Sequence, residues 1–121
     1  MLPTAARLRS PAEFQRVTRS GRRGTAATLV VHLARDAGDA PPRAGFVVSK
    51  KVGNSVVRHR VVRRLRAIVA GRLPEMPAGT ALVVRALPAA ADATGATLSA
   101  DLGRALRRAQ GHARKEGGGG E

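Results

Sequence analysis

Short apolar runs rich in β-branched residues recur along this chain, and turn-forming residues separate them. The runs TAATLVVHLAR (25–35), AGFVVSKKV (44–52) and TALVVRAL (80–87) are typical of strands, and RRGT (22–25) is consistent with a further short one. The segment 36–43, rich in Asp, Gly and Pro, permits a hairpin between the first two runs. The pattern therefore predicts a sheet of about four strands.

Two amphipathic segments near the ends of the chain predict helices. Ser10 and Glu13 have the spacing of a capping box, so a short helix begins there and ends at Gly21. Near the other end, residues 98–109 carry Leu and Ala at helical spacing, and Thr97 is the predicted N-cap. These two helices flank the predicted strands in the chain.

The longest predicted helix, residues 55–72, carries its apolar and basic residues on different faces. Asn54 or Ser55 caps its start. At about 100° per residue, one arc is apolar and the opposite arc is basic, and Arg58 lies in the first turn. The apolar arc holds Val57, Val61, Val62, Leu65, Ile68 and Val69. The basic arc holds His59, Arg60, Arg63, Arg64 and Arg66. The apolar arc binds the helix to a core, so the arginines form a fixed array.

The elements follow in the order αβββαβα, which predicts an α+β fold, an α/β sandwich of about four strands and three helices. The length of 121 residues fits a single domain. We expect this domain to span residues 1–111. Residues 112–121 are polar and Gly-rich, so they predict a disordered tail.

The charge of the chain is strongly unbalanced. It has 22 Lys and Arg against 8 Asp and Glu, a formal net charge of +14, and only three of the basic residues are lysine. Arginine presents a planar fork of donors that matches phosphate, so a polyanionic partner is indicated. A solvated charged face is the alternative, but such a face normally mixes both signs. Charge does not distinguish DNA from RNA, although the strand preceding the basic helix favours RNA over a helix-turn-helix.

The sequence offers no evident catalytic or metal site of its own. It has no cysteine, its acidic residues are scattered, and its three histidines are isolated from each other. The N-terminal segment lacks the apolar region of a secretory signal, and no apolar run approaches the roughly 20 residues of a membrane span. We therefore expect a cytoplasmic protein with no membrane partner, and no protein partner is evident.

Two stretches resemble a known family. FVVSKKVGNSVVRHRVVRRLR (46–66) resembles the signature of the bacterial ribonuclease P protein subunit, in which a strand ending in Ser-Lys-Lys leads through Gly-Asn into an arginine-rich helix. RLRSPAEFQRVTRSGR (7–22) is similar to the opening of that family. The resemblance extends over about residues 2–110.

The resemblance implies a subunit of a ribonucleoprotein endonuclease. In this family the protein binds a catalytic RNA subunit, which removes the 5′ leader of precursor tRNA. The resemblance implies that Mg²⁺ is held mainly by the RNA subunit and the substrate, and that no protein side chain is catalytic. It also implies a left-handed βαβ crossover around the arginine-rich helix, against the usual handedness.

The resemblance also assigns two sets of site residues. The set implied to face the RNA subunit is Lys50, Lys51, Arg58, His59, Arg60, Arg63, Arg64 and Arg66. The set implied to form a cleft for the 5′ leader, between the sheet and the first helix, is Phe14, Thr18, Val30, His32 and Val47.

The chain departs from the family pattern at four positions, three of them among these site residues and one, Val62, elsewhere on the basic helix. His59 replaces an Asn, and Val62 replaces a usual Lys. Thr18 and His32 stand where aromatic residues are common, which puts base stacking in the cleft in doubt.

Two other functions fit the residues: a ribosome-associated or general structural RNA-binding protein, and a stand-alone nuclease, which the scattered acids disfavour.

Overall fold

The computed structural model describes residues 6–35 and 38–117, with side chains described as far as Gly111. The elements appear in the predicted order αβββαβα. In chain order they are α1 (Pro11–Ser20), β1 (Arg22–Thr25), β2 (Leu29–Arg35), β3 (Arg43–Val47), α2 (Ser55–Arg72), β4 (Thr80–Ala86) and α3 (Gly95–Gly117). Two short 3₁₀ helices, Leu73–Glu75 and Pro88–Asp92, flank β4 in the chain.

The four strands form one mixed sheet in the order β1-β2-β4-β3. β1 and β2 are antiparallel, as are β2 and β4, whereas β3 is parallel to β4. The hairpin that the sequence permits between β2 and β3 is therefore wrong, because β4 lies between them. The physical reason is that β4 is buried along nearly its whole length, which suits a central strand rather than an edge.

β3 is shorter than predicted. It ends at Val47, and the lysine pair lies in a turn closed by hydrogen bonds from the Val52 N–H to the Ser49 carbonyl and from the Gly53 N–H to the Lys50 carbonyl. Val52 is buried and anchors this turn to the core. The Ser-Lys-Lys segment is thus a turn and not the end of a strand.

The connection from β3 through α2 to β4 joins two parallel neighbours, as a βαβ unit does. The predicted α+β fold is confirmed by the order of the elements. The left-handed crossover stays a prediction.

Helices pack on both faces of the sheet. α2 and α3 cover one face, where the main core includes Val31, Leu65, Leu82 and Leu102. A Cβ at Gly24 of β1 would collide with the Ala105 carbonyl of α3, so glycine permits this close approach. α1 covers part of the opposite face through a smaller cluster of Leu8, Val17, Ala81 and Val83.

The helix starts follow local capping chemistry. At α1 the predicted capping box is confirmed, because Ser10 Oγ accepts from the Glu13 N–H at 3.2 Å while the Glu13 carboxylate accepts from the Ser10 N–H. At α2 the Asn54 side chain accepts from the Val57 N–H at 3.0 Å. At α3 the predicted cap is wrong: the hydroxyl of Thr94, not Thr97, accepts the N–H, so the helix begins one turn earlier.

The helix α3 continues past the predicted end of the domain at residue 111 and reaches Gly117. Residues 118–121 of the predicted tail lie outside the described residues, and the disordered tail stays a prediction. None of the helices in the described ranges is both long and apolar enough to span a bilayer.

Candidate nucleic-acid interface

The helix α2 has one buried apolar face and carries basic side chains on its other faces. Val61, Leu65 and Val69 are fully buried, four residues apart, as the predicted apolar arc requires. On the outer surface, His59 and Arg63 are exposed. The other members of the predicted basic arc, Arg60, Arg64 and Arg66, are half-buried.

The arginines of α2 divide into two groups. Arg60 donates from Nη2 to the Ala91 carbonyl at 3.1 Å, and Arg64 donates from Nη1 to the Ala93 carbonyl at 2.8 Å. Both side chains are half-buried. These bonds tie α2 to the Pro88–Asp92 3₁₀ helix and the residue after it, so these two guanidinium groups are partly committed to the fold.

The second group lines an open hollow beside α2, which we call the α2 hollow. Its volume is about 700 Å³. Arg58 also donates from Nε to the Gly53 carbonyl at 3.2 Å, and the buried Nε of Arg66 has no hydrogen-bond partner in the part of the chain that the structure describes. The hollow is lined by Val48, Arg58, His59, Val62, Arg63, Arg66 and Ala67. Three guanidinium groups around one concave surface are suited to holding phosphates.

The lysine pair lies at the turn before α2. Lys50 and Lys51 are both exposed, and the backbone N–H of Lys51 donates to Ser49 Oγ at 3.3 Å. The turn therefore displays two ammonium groups close in the chain to the first turn of α2. Neither lysine lines the α2 hollow itself.

Of the five residues predicted to form a leader cleft, Val30, His32 and Val47 lie on the sheet face that carries α1, and Phe14 and Thr18 lie on α1 itself. We call the surface that they form the α1 cleft. Strand pairing places Val30 and Val47 on either side of Arg85 in one row, and His32 in the next row. Phe14 reaches this face from α1, where its ring lies against Gly45 so closely that a Cβ there would collide with it. Val30 is only 6% exposed, so it forms part of the floor of the cleft and offers little surface to a ligand.

The two positions that depart from the family's aromatic pattern offer little stacking surface. The Thr18 hydroxyl donates to the Gln15 carbonyl at 3.2 Å within its own helix. His32 is partly buried, and its Nδ1 forms no hydrogen bond with the described residues. Burial lowers the pKa of His32 from its ordinary 6.5, and the charges of Arg85 and Arg23 lower it further. The imidazole is therefore neutral near pH 7.

Two arginines beside His32 were not predicted as site residues. Arg23 lies directly opposite His32 on β1, and Arg85 pairs with Val30 on β4. A signal for Arg85 is present in the sequence, since it is the one charged residue in the apolar run TALVVRAL. Its neighbours depend on strand order, because the position of β4 between β2 and β3 decides which residues lie beside Arg85.

The acidic side chains with described contacts serve the fold. Glu13 pairs with Arg43 at 2.5 Å, and Asp101 pairs with Arg104 at 2.8 Å. No group of three or more His, Asp or Glu side chains comes together among the described residues.

Comparisons with known proteins agree with one another. A family model described as Ribonuclease P matches residues 2–110. The ribonuclease P protein component of Streptomyces bikiniensis is 53% identical over 116 residues, covering 89% of this chain and 94% of that relative. That of Acidothermus cellulolyticus is 51% identical over 109 residues, covering 89% and 91%.

Solved structures show the same fold. The RNase P protein of Staphylococcus aureus superimposes with a TM-score of 0.76 at 28% identity, covering 86% of this chain and 94% of that one. The RNase P protein of Thermotoga maritima, at 24% identity, superimposes with a TM-score of 0.72 over 84% and 96%. The family's role is the processing of tRNA 5′ ends as part of a ribonucleoprotein enzyme. With its sequence matched from residue 2 to residue 110 and its fold shared with these structures, this chain belongs to the ribonuclease P protein family.

Proposed function

We propose that this chain binds the catalytic RNA of ribonuclease P through α2 and holds the single-stranded 5′ leader of precursor tRNA in the α1 cleft. The observation that carries the proposal is the arrangement of Arg58, Arg63 and Arg66 around the α2 hollow, on a helix that a buried apolar seam fixes in place. A fixed array loses less conformational entropy on binding phosphate than a mobile basic tail would.

The protein acts by binding and positioning in this proposal. Its arginines contact RNA phosphates, which supplies affinity and orientation without reading sequence. The leader lies on the sheet face beside α1, which places the precursor against the RNA subunit. Hydrolysis is assigned to the RNA subunit, and the Mg²⁺ that supplies the nucleophile and stabilises the leaving oxygen is assigned to that RNA and the substrate.

The two proposed RNA-binding surfaces lie on opposite faces of the sheet and approach each other at the end of β3. Val47 belongs to the α1 cleft, and Val48, the next residue, lines the α2 hollow. In this proposal one face of the sheet holds the leader, and the helix on the other face holds the RNA subunit.

Reconstitution with the cognate RNA subunit tests the proposal. At low Mg²⁺, adding the protein should stimulate cleavage of precursor tRNA and should tighten binding of precursor more than binding of mature tRNA. The RNA-free protein serves as the control and should not cleave. If the protein neither stimulates cleavage nor tightens precursor binding, the proposal is wrong.

Isolation of the native complex separates this function from a general RNA-binding one. The protein purified from its own cells at low salt should carry one RNA species of a few hundred nucleotides. Recovery of ribosomal RNA in its place would favour a ribosome-associated role. The cytoplasmic location expected from the sequence stays a prediction.

A further inference from the structure

Arg85 occupies an unusual place for a charged residue. It lies near the end of β4, the strand between β2 and β3, and it is the exposed residue of a strand whose other positions are buried. Its side chain shares the face of the sheet with α1, because it stands two residues beyond Val83 of the α1 cluster. A guanidinium group therefore projects from the middle of the α1 cleft.

A second guanidinium group accompanies it. Arg23 on β1 is exposed and stands directly opposite His32, to which Arg85 is the diagonal neighbour. The two arginines are two interstrand spacings apart, about 10 Å across the sheet, and are offset by two residues, about 7 Å, along the strands. Both are close enough to His32 for their charges to act on its pKa.

Neither arginine is neutralised by a contact with the residues that the structure describes. The ion pairs among described residues are those of Glu13 with Arg43 and Asp101 with Arg104, and the described contacts give Arg23 and Arg85 no hydrogen bond or ion pair. Like charges on one sheet face repel each other, so their placement costs stability in the free protein. An anion bound between them would remove that cost.

The aliphatic stem of Arg85 also has a structural use, since long basic side chains cover neighbouring apolar surface. Val30, its partner in the row, is 6% exposed. Covering Val30 requires only the methylene groups, however, and any long unbranched side chain would provide them. The charge itself is left without a structural explanation, and the two roles are separable by substitution.

We propose that Arg85, assisted by Arg23, binds the phosphate backbone of the single-stranded 5′ leader, so that an electrostatic contact in this chain takes the place of base stacking at Thr18 and His32. This inference rests on the proposed function, since it names the residues that hold the leader in the α1 cleft. Grooves that bind single strands combine stacking with positive charge along the backbone, and here the charge dominates. Binding of the leader should accordingly depend strongly on salt and weakly on leader sequence.

The test measures affinity of the reconstituted enzyme for precursor tRNA and for mature tRNA over a range of salt concentrations. Arg85→Met keeps the stem and removes the charge, and Arg85→Lys keeps the charge. We expect Arg85→Met to weaken precursor binding about tenfold, to leave mature tRNA binding unchanged, and to lower the slope of log K against log salt by about 0.7. Arg85→Lys should restore most of the slope. Arg85→Met combined with Arg23→Gln should lower the slope by about twice as much.

Arg107→Met is the matched control, because Arg107 is an exposed arginine of α3, on the other face of the sheet, and its loss changes the net charge equally. It should leave the preference for precursor intact. Thermal unfolding of each variant checks that the fold is retained.

The possible failures are distinguishable. If the unaltered protein confers no preference for precursor over mature tRNA, the proposed function fails. If it does confer that preference and Arg85→Met retains it with the same salt slope, only the role of Arg85 is wrong. Equal loss for precursor and mature tRNA, or loss of RNA-subunit binding, would also overturn the inference, since Arg85 would then face something other than the leader.

Discussion

Glu13 illustrates how one side chain organises the start of the chain. Its carboxylate accepts from the backbone N–H of Arg9 at 2.9 Å and from the Arg43 side chain at 2.5 Å, and it closes the capping box with Ser10. These contacts, the Arg9 N–H first, hold the pKa of Glu13 at about 2, below its ordinary 4.5. One carboxylate thus joins α1 to β3.

The depressed pKa of Glu13 makes a prediction about acid stability. Because the folded state holds this carboxylate ionised, its contribution to the free energy of unfolding is present above about pH 4.5 and is lost as the pH falls towards about 2. Urea unfolding of Glu13→Gln over this range should show a weaker pH dependence than the unaltered protein. Glu75→Gln, at an exposed carboxylate, is the control, and superimposable profiles for Glu13→Gln and the unaltered protein would contradict the prediction.

Two arginines of α2, three residues apart, are expected to differ in role. Arg63 is exposed on the α2 hollow, whereas Arg60 donates to the Ala91 carbonyl. We expect Arg63→Gln to lower the salt slope of RNA-subunit binding by about 0.7–0.9 with little change in thermal stability. Arg60→Gln should change the slope less and should lower the melting temperature, because a part-buried hydrogen bond is lost. Each variant is the control for the other, and the reverse ranking would show that Arg60 is the main phosphate contact.

At the scale of elements, the position of α3 depends on a contact that joins distant parts of the chain. Asp101 is 5% exposed, and its Oδ2 accepts from both the backbone N–H and the hydroxyl of Thr28, at 3.1 and 2.7 Å. Its other oxygen accepts from Arg104. Nothing local to Asp101 in the sequence indicates a partner 73 residues away.

Removal of this carboxylate should be costly. Asp101→Ala leaves two buried donors of Thr28 unsatisfied, so we expect it to lower the free energy of unfolding by about 1–3 kcal/mol per unsatisfied group. Urea unfolding measures this change, with the exposed Asp92→Ala as the control. If the two variants were equally stable, the Asp101 contact would have no role in holding α3 to the sheet.

For the whole molecule, charge is the dominant property. A formal net charge of +14 on 121 residues means that the positive charges of the free protein repel one another. This repulsion lowers the stability of the free protein. An RNA partner would raise it again, because a ligand that binds only the folded state stabilises that state.

This self-repulsion has a measurable consequence. Raising the salt concentration from about 0.05 to about 0.5 M shortens the screening length several-fold, so the melting temperature of the free protein should rise. The same change should weaken its complex with RNA. Thermal unfolding with and without the RNA subunit measures both effects, and a melting temperature of the free protein that falls with salt would show that attractive ion pairs outweigh the repulsion.

Local patterns in the sequence determined the elements of this protein. The capping box of α1, the apolar arc of α2 and the apolar strands depend on residues a few positions apart, so periodicity and capping chemistry suffice to predict them. The charge imbalance indicated a polyanionic partner for the same reason, since it depends only on composition. The exceptions are element ends: the cap of α3 and the end of β3 were misplaced because several nearby residues have similar propensities.

The tertiary structure alone decided which distant residues meet. Strand order placed β4 between β2 and β3, and this brought Arg85 beside Arg23 and His32. Packing also decided that Arg60 and Arg64 bond to carbonyls after β4 while Arg58, Arg63 and Arg66 line the α2 hollow. These juxtapositions depend on long-range register and helix packing, which pair residues far apart in the chain and have no local pattern to indicate them.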